Sequence, residues 1–107
     1  MIDELKAIAK QNPEGFTVDL KLNPVTTGYV IAIPETQNCF GDQGLEKVLK
    51  IASENGYCIG GWLNRENGRF YWDASLIAPD LEEAKETGRK FNQIAIFDLN
   101  EQREIWL

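Results

Sequence analysis

Apolar residues along this chain recur at two spacings. Stretches with three- and four-residue spacing give way to stretches with alternate spacing, and the order helix, strand, strand occurs three times. Ile2, Leu5, Ile8 and Ala9 fall on one side of a helix predicted over about 3–11, which Asn12-Pro13-Glu14-Gly15 stops. Phe16, Val18, Leu20 and Leu22 then alternate with Thr17, Asp19 and Lys21, the pattern of a half-buried strand. After a turn bracketed by Asn23-Pro24 and Gly28, the run Tyr29-Val30-Ile31-Ala32-Ile33 is apolar on both sides, as in a central strand, and Pro34 ends it.

The second helix is predicted over about 43–55, with Asp42 at its N-cap and Leu45, Val48, Leu49 and Ala52 facing inward. Asn55-Gly56 supplies a left-handed stop, because glycine has no Cβ to clash there. Residues 57–64 and 69–77 form a hairpin around Arg65-Glu66-Asn67-Gly68, since Asn-Gly is a strong hairpin signal. In the third helix Asp80 accepts from the first-turn amides and Glu83 reaches back, with Leu81, Ala84, Gly88 and Phe91 on the buried side. Residues 93–99 and 103–107 read as two strands joined at Asn100-Glu101.

These elements define a single α+β domain over 1–107, a mainly antiparallel sheet of about six strands in three αββ units with helices packed on one face. The rhythm is one of elements only, since no residues match at a fixed period. A chain of 107 residues, 43% hydrophobic and 26% charged, suffices for one core without disulfides or metals.

Charge and composition narrow the function. A net charge of −6 repels phosphate, so nucleic acid and anionic membranes are poor partners and a basic protein is a suitable one. There is no histidine, which removes imidazole bases, Ser-His and Cys-His dyads and ordinary zinc sites. No metal or cofactor is therefore expected. Cys39 and Cys58 are too sparse for a disulfide framework. The first residues carry charge from Asp3 onward and form no apolar leader, so a cytoplasmic setting is expected.

Three features could carry function. In the hairpin, Ile59, Leu63, Phe70 and Trp72 point to one side, while Cys58, Trp62, Tyr71 and Asp73 point to the other. Trp62, Tyr71 and Asp73 are the candidate partner-binding residues, because aromatics beside an acid suit a basic partner. Cross-strand packing, or a third layer covering the sheet, is the competing explanation for the same aromatic pair. Gly60-Gly61 lies within a strand, where glycine marks a bulge or close approach, and a packing role against a helix or Trp72 is expected.

The polar segment 35–41 is a candidate ligand loop, with Glu35, Gln37, Asn38 and Cys39 as its residues. Cys39 stands just before a helix N-terminus, but no base accompanies it. A carboxylate pair, Asp73 with Asp98 or Glu82 with Glu83, would need to face across a cleft to hydrolyse anything.

The segments Gly60-Gly61-Trp62-Leu63, Phe70-Tyr71-Trp72-Asp73 and Asn92-Gln93-Ile94-Ala95-Ile96-Phe97-Asp98-Leu99 resemble a pattern in uncharacterised small bacterial proteins of phage and mobile elements. The resemblance covers about half the chain. It implies a short accessory protein, carries no catalytic signature and transfers no residue roles.

The leading expectation is a non-enzymatic interaction module of inhibitor or immunity type. The alternatives are a small enzyme or ligand-binding protein with a site near 35–41 and Gly60-Gly61, and a homo-oligomer subunit pairing through the edge strand 103–107.

Overall fold

The computed structural model describes residues 1–107. In chain order it contains α1 (Ile2–Gln11), β1 (Phe16–Val18), β2 (Tyr29–Ala32), a single 3₁₀ turn (Pro34–Thr36), β3 (Cys39–Phe40), α2 (Gly41–Asn55), β4 (Cys58–Asn64), β5 (Arg69–Ala78), α3 (Leu81–Lys90), β6 (Ala95–Asp98) and β7 (Arg103–Trp106). No helix is long and apolar enough to cross a membrane.

β5 is the spine of a seven-stranded sheet ordered β1-β4-β5-β2-β6-β7, with every pairing antiparallel. The β4–β5 hairpin has the register its alternation implies, from Cys58 opposite Ser75 to Asn64 opposite Arg69. β2 lies on the other edge of β5, along Ser75–Ala78. β3 lies on that same edge further along, opposite Tyr71 and Trp72. Pro34 has no N–H for a ladder, so between these two strands the chain leaves the sheet. The Thr36 hydroxyl fills the gap, accepting the Ala74 N–H at 3.0 Å from a fully buried position.

All three helices cover one side of the sheet. α1 and α2 bury Leu5, Leu45, Val48 and Ala52 against Val18, Ile59, Trp72 and Ala74. α3 forms a smaller cluster, Ala84 against Ile31, Ala78 and Ile96. Leu5, Leu45 and Ile59 are completely inaccessible. Each contributes about 1.5–3 kcal/mol by leaving water. α2 stops at Gly56, whose φ of 72° is the left-handed cap expected of it. At α3 the Asp80 carboxylate accepts the Glu83 N–H at 3.0 Å.

Three local expectations are corrected. Residues 19–22 are not strand: Asp19 accepts the N–H groups of Lys21 and Asn23, and this turn ends β1 at Val18. Asp42 does not cap α2, which begins at Gly41 with Phe40 in the cap position, and its carboxylate instead meets the Lys6 ammonium at 2.8 Å. The 35–41 loop contains β3, which raises the strand count to seven.

Candidate functional site

Because paired residues on antiparallel strands point the same way, the register assigns the face away from the helices. It carries Trp62 and Tyr71, Gly60 and Asp73, Ala32 and Ser75, and Phe40 opposite Tyr71. β2 and β6 continue it with Val30 opposite Phe97.

Trp62, Tyr71 and Phe40 form a row of rings. Trp62 and Tyr71 stack with centroids 5.4 Å apart and planes at 19°. Tyr71 and Phe40 are 5.6 Å apart, and the Arg69 guanidinium closes the row 4.4 Å above the Phe40 ring. The Asn67 side-chain amide donates to the Tyr71 hydroxyl at 2.9 Å. Cross-strand packing therefore accounts for Tyr71 but leaves Trp62 45% exposed.

Asp73 sits beside this row, opposite Gly60 on β4. A Cβ on Gly60 would stand 3.2 and 3.7 Å from the two carboxylate oxygens and 2.8 Å from the Phe16 carbonyl, so the missing side chain is what makes room for the acid. Gly61 has the same role on the helix-covered face. A Cβ there would lie 2.4 Å from a Phe70 ring carbon and 3.2 Å from a Trp72 ring carbon. The two glycines are spaces for rings on one side and a carboxylate on the other.

Burial pushes the Asp73 carboxyl above the ordinary aspartate range, because charge is disfavoured away from water. A hydrogen bond donated by the Ser75 hydroxyl at 2.8 Å opposes this in part. Asp73 is half-buried, and it borders two cavities.

The smaller cavity, about 270 Å³, opens where the chain leaves the sheet between β2 and β3. Gln37, Asn38, Asn64 and Gln93 surround it with carboxamides, and Trp62 and Tyr71 form an aromatic wall. The larger, about 610 Å³, lies on the other side of Trp62. Val30 and Phe97 form its floor, the loops around Gly15 and Val25 its walls, and Glu14 and Glu104 contribute carboxylates. Both cavities reach Trp62 and Asp73, and neither is lined by a lysine or arginine.

The expected partner-binding residues Trp62, Tyr71 and Asp73 are thus together, and Gln37 and Asn38 of the candidate ligand loop join them. Glu35 and Cys39 do not. Glu35 is exposed on the 3₁₀ turn and borders neither cavity. Cys39 is buried on the helix side opposite Trp72, with the backbone of Gly44 against it. Asp98 also faces away from Asp73, and its carboxylate accepts the N–H groups of Asn100 and Glu101, so the two acids do not form a catalytic pair. No group of three or more acidic or cysteine side chains is arranged to hold a metal ion.

Val30, Phe97, Asn64, Gln93 and Glu104 are cavity residues that motif reading does not single out. Only Val30 has a signal in the sequence, the β2 run apolar on both sides: Ile31 faces the helices while Val30 and Ala32 line the cavities.

No family model, curated protein or solved structure matches the chain.

Proposed function

We propose that the open sheet face is a binding surface for a basic protein and that the molecule acts by recognition rather than catalysis. The observation that carries this reading is the meeting of two cavities at Trp62 and Asp73, with acidic groups and no basic ones in their linings. A cation 4 Å from a carboxylate near a protein surface gains about 4 kcal/mol of Coulomb energy, before the cost of desolvating both groups. The net charge of −6 adds long-range attraction of the same sign. An exposed tryptophan stacked on a fixed tyrosine supplies rigid contact area at little entropic cost, as interface anchors do.

Fluorescence anisotropy with a labelled arginine-rich peptide tests the reading. Trp62→Ala keeps the net charge and should weaken binding about tenfold or more, as loss of an anchor does. The double variant Glu82→Gln/Glu83→Gln removes two charges from α3, and should change binding less than about twofold beyond general screening. Equal losses in the two variants would mean undirected attraction to an acidic surface and would overturn the proposal.

A second reading has its own observation, the four carboxamides and aromatic wall of the smaller cavity, which suit a neutral hydrogen-bonding ligand. Such a ligand would shift the amides of Gln37, Asn38 and Asn64 and leave Val30 and Phe97 unmoved.

A further inference from the structure

We propose that the larger cavity is a receptor for one arginine side chain of the partner, its stem along Val30 and Phe97 and its guanidinium between Trp62 and Asp73. This rests on the interaction reading above and names the group that reading requires. Three observations meet at this place.

The first is shape. The cavity, about 610 Å³, falls in the range of sites that hold a drug-sized molecule, so it accommodates a long side chain together with flanking backbone. Its apolar floor suits the methylene stem that cationic side chains lay against apolar surface.

The second is the position of the indole. Tyr71 stacks on Trp62 and borders the smaller cavity but not the larger one, so Trp62 stands between them as a partition. Its side toward the larger cavity is available to a planar cation, which aromatic faces attract. A guanidinium stacks flat there and still directs N–H donors sideways, which an ammonium does not do.

The third is charge. Asp73 accepts one hydrogen bond, from Ser75, and an ionised carboxylate has roughly four lone-pair sites. Around it the cavity presents Glu14, whose carboxylate is 3.3 Å from Arg65 at the rim, and Glu104, which forms no ion pair. No other charged group lines the cavity. An entering cation therefore meets three acidic side chains, with the one nearby guanidinium, Arg65, held by Glu14 at the exposed rim.

Nuclear magnetic resonance titration with N-acetyl-arginine methylamide, and with its neutral citrulline analogue, tests this on the whole chain. The arginine probe is expected to shift the amides of Val30, Gly60, Trp62, Asp73 and Phe97, and the citrulline probe to bind about tenfold or more weakly, since it lacks the charge. Asp73→Asn should impose a similar loss on the arginine probe. Val30→Phe, which fills the cavity floor on the neighbouring strand, should do so as well while leaving the carboxylate in place.

Affinity for the arginine probe should also rise with pH as Asp73 ionises, and this rise should shrink in Asp73→Asn to the part that Glu14 and Glu104 supply. Equal binding of the two probes, or an arginine affinity unmoved in both variants, overturns the arginine pocket. If the arginine-rich peptide loses affinity in Trp62→Ala yet binds Asp73→Asn normally, the interaction surface stands and the pocket assignment falls. If the peptide is indifferent to Trp62, the surface itself is wrong.

Discussion

Replacing Gly61 with alanine puts a methyl group into a space already occupied by aromatic rings. The new Cβ would lie 2.4 Å from Cε1 of Phe70, 2.9 Å from the Tyr71 carbonyl oxygen and 3.2 Å from Cε3 of Trp72. None of these neighbours yields easily. Phe70 and Trp72 have ring centroids 4.8 Å apart, and Phe16 packs on both at 6.2 and 5.9 Å. The carbonyl belongs to β5, paired with β4 at this very step. Overpacking costs about 1–3 kcal/mol, and contacts this short with rings this confined put Gly61→Ala at the top of that range. Reduced freedom of the unfolded chain returns about 0.4–1 kcal/mol. The net is a loss of about 2 kcal/mol, or roughly 10 °C in Tm for a domain of this size. Urea unfolding followed by tryptophan fluorescence and by far-ultraviolet circular dichroism would measure it, with an unchanged m-value as the sign that only stability has moved. A loss below about 0.5 kcal/mol, within the ordinary surface range, would mean that Phe70 and Trp72 are not seated over Gly61. The division of the hairpin into a ring-filled side and an open side would then be wrong.

Two further predictions concern the groups that shape the site. The folded-state pKa of Asp73 is raised, so its contribution to stability is full below the unfolded pKa and is lost as pH rises through the folded one. Asp73→Asn should therefore gain on the natural protein between acidic and neutral pH; urea midpoints across that range decide it, and a gap that stays flat or narrows refutes it. Thr36→Val removes the acceptor of the buried Ala74 N–H, at a cost of about 1–3 kcal/mol, whereas Thr36→Ser keeps the hydroxyl and should lose less. Faster amide exchange at Ala74 in the valine variant alone is the accompanying signature.

Local rules read the hairpin almost completely, because Asn67-Gly68 and strict alternation act within a few residues of each other. The same alternation misleads at 19–22, where Leu20 and Leu22 pack on the core from a turn and the Asp19 carboxylate binds the backbone locally. β3 escapes prediction because two residues cannot establish a period, and its pairing with Tyr71 and Trp72 depends on a strand thirty residues later. Asp42 satisfies the pattern of a cap, but a long-range partner, Lys6, takes its carboxylate.

The site divides in the same way. Trp62, Tyr71 and Asp73 share a face by simple periodicity, and that much is visible from residue order. The cavities are not, since their walls come from loops near 14, 25, 37 and 102 that only the folded sheet brings together. Cys39 looks like a loop residue in sequence and is a core residue in the fold, because β3 turns its side chain toward α2.

The central claim is that recognition occurs on the face the helices leave open. Mapping backbone amide shifts on titration with an unlabelled arginine-rich peptide tests it most directly. The largest shifts should fall on Val30, Gly60, Trp62, Asp73 and Phe97, with Ala84, Glu86 and Lys90 of α3 unmoved. Shifts spread evenly over the acidic surface, or gathered on the helices, would contradict the account.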